Sequence, residues 1–335
     1  MRVMVTGANG FVGRALVHQL LETVSLRGRS ISALILMDKE LQGFPADPRL
    51  RFQPGSVTDA ALLRRVLADG IDVVFHLVNT PDGTTDEHYS LSHQVNLLAS
   101  LELLEQLRGV TGVPVLVYAS SVAVYGADLP LRIDEAAIPH PALSYGAHKL
   151  MVEVAINDVV RRGEVDGRVV RLPDIVGCPR EANDRRSAVM SDLLHAYAAG
   201  ERYCCPVSEQ AVAWWMSVRC CVANLLQAAE LDSETLGGQR VLQLPLLRLS
   251  IAQIIDALSA MYGEEGRSKI SFAPDDRLEA LFGCFPVMKT PLARSLGLRH
   301  DGSAAVLVRN VLNPLPRARR MRGRSLSGVP AHEPD

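Results

Sequence analysis

"RVMVTGANGFVGRALVHQLLE", Arg2 to Glu22, decides the fold. It opens on an apolar run, "RVMVT", and passes through three glycines, Gly7, Gly10 and Gly13. It then continues in "FVGRALVHQLLE", where Val12, Ala15, Leu16 and Leu20 share one helical face. That order is a strand, a tight turn and an amphipathic helix. The rhythm returns downstream in "SALILMD", "LRFQPG", the helical "TDAALLRRVLAD" with Thr58 as its N-cap, and "DVVFHLV". The long helical "SLSHQVNLLASLELLEQLR", "VPVLVYASS", a helix carrying Tyr145, and "RVVRLP" complete it. The strand runs are continuously apolar rather than alternating, as when helices cover both faces of a sheet. Strand and helix in turn predict an α/β protein with a doubly wound parallel sheet.

After Pro173 the pattern changes. Residues 178–206 show no clear strand and carry the polar loop "CPREANDRRS". "QRVLQLP", near 239–245, returns to the sheet, and 250–313 read as helices plus one strand in "KISFAP". A smaller C-terminal lobe is expected over the carboxyl edge of the sheet, where ligands bind in such folds.

Composition narrows the function. The 335 residues carry a formal net charge of −2, which argues against a nucleic-acid or membrane surface. The apolar runs are far shorter than the roughly 20 residues of a membrane span. The strand-like start leaves no room for a signal peptide, so a cytoplasmic protein is expected. Of six cysteines, four are the neighbours Cys204–Cys205 and Cys220–Cys221. Adjacent side chains point apart and no His or Cys stands at finger-like spacing, so buried reduced thiols are expected rather than a metal cluster. From Asn313 onward the chain is rich in Pro, Gly and Arg, and a disordered, solvated tail is expected over a nucleic-acid patch in "RARRMRGR".

The glycines of "TGANGFVG" stand between strand and helix, where backbone approaches a pyrophosphate and the helix N-terminus offers free N–H groups. Dinucleotide binding by Gly7, Gly10, Phe11, Val12 and Gly13 is therefore expected. Asp38 closes the second strand. A carboxylate there accepts hydrogen bonds from ribose hydroxyls and repels a 2′-phosphate, favouring NAD over NADP; the alternative is a solvent-facing strand-end Asp. Lys39 follows it, and no Arg stands close by in the sequence to receive that phosphate.

"YGAHK" places Tyr145 and Lys149 four residues apart, on the same face of a helix. Taken with the glycine loop, Asp38, "VFHLV", "QVN" and "SSVAVYG", the chain resembles the extended short-chain dehydrogenase/reductases, the NAD-dependent epimerase/dehydratase family. The resemblance covers roughly residues 1–310. It implies a Rossmann sheet, bound NAD, and a Ser121–Tyr145–Lys149 catalytic set with Ser121 rather than Ser120 as the serine. It adds Ser56, Val57, Leu77, Asn96, Pro173 and Ile175 to the cofactor contacts, although Ser56 replaces a usual Asp. It implies a homodimer through helices near 88–108 and 145–162. In this reading residues 1–177, completed by about 207–247, bind the cofactor, while 178–206 and 248–313 bind substrate.

Val212 stands where nucleotide-sugar members carry a phosphate-clamping Arg. "SYGAHKLMVEVAINDVVRRGEVDGRVVRLP" and "LGLRHDGS" look like the D-erythronate dehydrogenase branch, which implies a small polyhydroxy-acid substrate. Candidates to bind it are Asn79, Asp82, Gly83, Asn183, Arg185, Arg186, Ser187, Trp214 and Arg219. Asn79 either faces the cleft or caps a turn. Arg185 and Arg186 either clamp a carboxylate or form a solvated pair, and the two tryptophans either wall the cleft or fill the core. The alternatives to a dehydrogenase are a nucleotide-sugar epimerase or dehydratase that retains NAD, and a silent NAD-binding regulator.

Overall fold

A computed structural model describes residues 1–80, 89–127, 129–178 and 189–312. Seven parallel strands form the main sheet: β1 (Arg2–Thr6), β2 (Ala33–Asp38), β3 (Leu50–Pro54), β4 (Val73–His76), β5 (Val115–Ser121), β6 (Asp166–Leu172) and β7 (Val241–Gln243). Their spatial order is β7-β6-β5-β4-β1-β2-β3. The chain winds outward from β1 to β3, returns, and winds the other way from β4. A crevice therefore opens at the carboxyl ends of β1 and β4, the switch point where such sheets take ligands.

Alternate residues of each strand feed two separate cores. On one face Val3, Val5, Leu34, Leu36, Phe75 and Val117 pack against helix α1 (Phe11–Glu22). On the other, Met4, Ile35, Met37, Val74 and Leu116 meet α2 (Ala60–Leu67), α3 (Ala99–Arg108) and α4 (Ser144–Arg161). Helix α5 (Val218–Glu230) joins α1 on the first face through Cys221, Val222 and Leu225. Each fully buried aliphatic side chain contributes about 1.5–3 kcal/mol, which is why the central positions of the inner strands, such as Val3–Val5, Leu34–Met37 and Val115–Val117, are apolar on both faces.

Several local expectations need correction. The N-cap of α2 is Asp59, whose carboxylate accepts from Leu62 N at 3.0 Å. Thr58 is instead engaged with the Ser56 hydroxyl at 2.8 Å. The stretch before α3 holds a π-helical segment, His93–Leu98. Residues 178–206 do contain a strand, Tyr203–Cys205, paired with Ile270–Phe272. A further strand, Val287–Lys289, pairs with Arg132–Asp134. These strands are three residues long, too short to show a period.

Beside the main sheet lies a three-stranded one built from Asp174–Val176, Val212–Ser217 and Leu247–Ser250. It packs on helices Val189–Ala199, Ile251–Tyr262 and Ala304–Leu312 through Met190, Leu194, Trp215, Ile254 and Leu307. No helix among the described residues is long and apolar enough to cross a membrane.

Candidate active site

A cleft of about 360 Å³ opens between the carboxyl ends of the strands and the smaller sheet. Gly7, Gly10, Phe11, Val12 and Gly13 line one end. Gly7 takes φ +71°, in the left-handed region that only glycine enters freely. A Cβ on Gly13 would lie 2.0 Å from the Gly7 carbonyl oxygen, so the helix can pack this close to the loop only with hydrogen there. The N-cap of α1 is Gly10, and no side chain caps the helix. The first amides of α1 therefore face the cleft without a side-chain partner, a cradle that fits a pyrophosphate.

Asp38 stands at the rim of the cradle. Its carboxylate accepts from Asn9 N at 2.9 Å and from Lys39 N at 2.7 Å, which fixes its orientation beside the loop. Contrary to the expectation from linear sequence, an arginine is near. Arg14, on α1, donates from Nε to the Asn9 carbonyl at 3.1 Å and lies over the Phe44 ring at 5.2 Å.

Leu77, Asn79, Pro173 and Ile175 also line the cleft. Asn79 is exposed and its amide only grazes the Thr80 carbonyl at 3.5 Å, so it faces the cleft. The other expected cofactor residues stand outside this lining. Asn96 is fully buried; its amide oxygen accepts from Thr80 N at 2.8 Å and its nitrogen donates to Ser92 Oγ at 3.1 Å, so it ties down the chain leaving β4. Val57 belongs to the core, and Ser56 is spent on Thr58.

The opposite wall carries Ser121, Tyr145 and Lys149 together. Ser121 ends β5, and its hydroxyl accepts from Ala123 N at 3.1 Å. Tyr145 and Lys149 occupy successive turns of α4. Lys149 is 2% exposed; its Nζ donates to the Ala119 carbonyl at 2.7 Å and lies 4.9 Å from the Tyr118 ring centroid and 5.7 Å from that of Tyr145. Burial pulls the lysine down to about 7, against the opposing pull of Glu153. Below it His76 bridges Thr6 at 2.6 Å and Ser100 at 3.0 Å, and burial, then the Lys149 charge, depress it to about 3, so it stays neutral.

Two expected substrate contacts do not reach this cleft. Trp214 is fully buried among Val122, Tyr125 and Ile133, stacks on Phe285 at 4.5 Å and donates to the Pro286 carbonyl, so it fills the core. Arg219 is exposed on the first turn of α5, outside the cleft lining. Asp82, Gly83, Asn183, Arg185, Arg186 and Ser187 lie outside the described residues. Conversely, Ser120, Asp174, Cys178 and Ser191 line the cleft and were not anticipated. Ser120 and Asp174 each adjoin an expected residue, which was the available signal.

A switch-point crevice with a glycine cradle and a Ser, Tyr and Lys on its far wall defines a dinucleotide-binding α/β protein. A profile of the NAD dependent epimerase/dehydratase family matches residues 3–242, and the chain belongs to that family. D-erythronate dehydrogenase of Cupriavidus necator is 34% identical over 314 residues, covering 92% of this chain and 97% of that protein. The protein of the same name from Haemophilus influenzae is 30% identical over 305 residues, covering 90% and 96%. Among solved structures, a nucleoside-diphosphate-sugar epimerase from Agrobacterium tumefaciens superposes with a TM-score of 0.86 at 28% identity, over 92% of each chain. A holo L-threonine dehydrogenase from Cupriavidus necator superposes with a TM-score of 0.81 at 22% identity, over 93% of this chain and 99% of that one, a likeness of fold. Family and site together make the bound group a nicotinamide dinucleotide.

Proposed function

We propose that the protein is an NAD-dependent dehydrogenase that oxidises a hydroxyl of a small polyhydroxy acid, D-erythronate or a close relative. The observation that carries this reading is the shared cleft: Ser121, Tyr145 and Lys149 line the same cavity as the glycine cradle, with the lysine beneath the tyrosine ring. The bound nicotinamide supplies the hydride acceptor. The Ser121 hydroxyl holds the substrate oxygen, and the Tyr145 oxygen takes its proton as the C–H hydride leaves. A free phenol titrates near 10, so working near neutral pH needs a shift of two to three units, about 3–4 kcal/mol. A charged Lys149 favours the phenolate and contributes to that shift.

The acid substrate is supported by the two D-erythronate dehydrogenases, each similar over nearly its whole length. Asn79 serves substrate hydroxyls in this reading, and Asn183 and Arg185, with Asp82, are its remaining candidate contacts. The likeness to a nucleoside-diphosphate-sugar epimerase favours a second reading, an epimerase or dehydratase that keeps its NAD bound. Val212, where a phosphate clamp would need Arg, weighs against it. NAD is preferred because Asp38 faces the loop. The cofactor part comprises residues 1–177 with about 207–247, and the substrate part 178–206 and 248–313. The enzyme is a cytoplasmic homodimer in this proposal: Leu91, Leu98, Leu101, Met151 and Val154 form an exposed apolar stripe on the helical run 89–108 and on α4. Screening C3 to C6 aldonic acids with NAD tests the activity. Free NADH accumulating with one of them is expected; isomerisation of a nucleotide sugar without cofactor release would overturn it.

A further inference from the structure

Behind the tyrosine and lysine, the protein buries an ion pair that the chemistry above does not use. Glu153 stands one turn beyond Lys149 on α4 and is 1% exposed; Arg171, on β6, is 6% exposed. Arg171 donates from Nη2 to Glu153 Oε2 at 2.6 Å and from Nε to Oε1 at 3.0 Å, while its Nη1 donates to the Tyr125 hydroxyl at 3.0 Å. Ser120, in the cleft wall, donates its hydroxyl to Glu153 Oε1 at 2.5 Å. The carboxylate is thus held by two residues, Arg171 and Ser120, in a place where an apolar pair of similar volume would give comparable stability.

We infer that Glu153 is a positioning residue for Lys149: fixed by Arg171 and Ser120, its carboxylate keeps the buried ammonium charged beneath Tyr145. This rests on the dehydrogenase reading for its purpose, but not for its measurement. Around Lys149 stand Tyr145 and Glu153 from α4, Tyr118 from β5, His76 from β4 and, behind Glu153, Arg171 from β6. Burial drives the Tyr118 phenol well above its usual range, so it stays neutral, as does His76. Glu153 is therefore the carboxylate in this group that can offset the cost of burying the lysine charge.

The chain has only four lysines, and Lys39, Lys269 and Lys289 are exposed, so Lys149 is resolvable by NMR of protein labelled with 13Cε-lysine. Its signal is assigned by its loss in K149M. In E153Q, which keeps an acceptor for Ser120, the Lys149 proton affinity should fall on the order of tenfold. The double variant E153Q/R171M, which does not strand the buried Arg171 charge, should still titrate below the wild type. A variant that merely loosened packing would let water in and move the midpoint up, towards ordinary lysine. An unchanged or raised midpoint in E153Q, or a double variant equal to wild type, overturns the inference. Tyr125→Phe, which removes an acceptor from Arg171 without altering charge, should leave the midpoint in place, and a shift there of the size seen in E153Q would overturn it too. None of these readings requires substrate, so a failed search for an acid substrate leaves the titration standing on its own.

Discussion

Lys149 holds its ammonium 5.7 Å from the centre of the Tyr145 ring while hydrogen-bonding the Ala119 carbonyl at 2.7 Å. The bond to Ala119 anchors α4 to the end of β5, the strand that also delivers Ser121. One backbone acceptor therefore ties Tyr145 and Lys149 to the strand that carries Ser121, the two halves of the proposed catalytic set. Replacing Tyr145 by Phe removes the proton acceptor while leaving this anchor intact. The rate of NADH formation should fall about a hundredfold to ten-thousandfold, the usual worth of a general base. Cofactor affinity, read by calorimetric titration, should change little, and full activity in Y145F would refute the assignment.

Lys149 is also a liability to the fold. Burial lowers it to about 7, whereas the unfolded side chain titrates near 10.5. Between those values the unfolded chain binds more protons, so stability rises with pH across this window; below about pH 7 the full cost of the buried charge applies. Lys149→Met should therefore melt higher than wild type at pH 6. Its advantage should shrink as pH climbs towards 10, although its activity is lost. Thermal melts of both proteins from pH 6 to 9 check this, and a K149M that melts lower at pH 6 would count against it.

The glycine cradle yields a simpler test. Gly13→Ala places a methyl 2.0 Å from the Gly7 carbonyl oxygen, so α1 must move away from the loop. Overpacking of this kind costs about 1–3 kcal/mol. It also displaces the amides that face the cleft. Both melting temperature and dinucleotide affinity should drop, whereas Gly70→Ala, at a turn with open space around it, should leave dinucleotide affinity unchanged. Equal affinity for G13A and wild type would sink the cradle.

What the sequence makes legible follows from length and period. Strands whose central residues are continuously apolar, such as Val3–Val5 in Arg2–Thr6 and Val115–Ala119 in Val115–Ser121, announce a sheet covered on both faces. The glycine loop and the four-residue step from Tyr145 to Lys149 are local patterns, and chain direction alone brings them to one crevice. Long-range packing is not written locally. Trp214 looks as ready to wall a cleft as to fill a core until Val122, Tyr125 and Phe285 close around it. Asn96 is spent on Thr80 and Ser92 because a π-helical segment turns it inward, which no residue in "QVN" declares. The Glu153–Arg171 pair joins α4 to β6 across 18 residues, a contact that no local pattern in the sequence declares.

Arg14 belongs to the same class of hidden neighbour, and it sharpens the question of cofactor choice. It lies 24 residues from Asp38 in the chain, yet both converge on Asn9: Asp38 accepts from its N–H at 2.9 Å, and the Arg14 guanidinium donates to its carbonyl at 3.1 Å. The ribose corner thus holds a carboxylate facing the loop and a guanidinium just behind it. With Asp38 in place, a 2′-phosphate meets a negative charge in a partly buried site, a penalty on the order of 1.4 kcal/mol or more, so NAD should be preferred about tenfold or better. Asp38→Ala removes the repulsion and leaves Arg14 as the neighbouring cation for the phosphate, so the ratio of kcat/KM for NADP over NAD should rise on the order of tenfold or more. In D38A/R14A that gain should shrink, because the cation that receives the phosphate is gone. An unchanged ratio in D38A would show that Asp38 does not select the cofactor. A double variant that uses NADP as well as D38A does would remove Arg14 from the account while leaving the role of Asp38 intact.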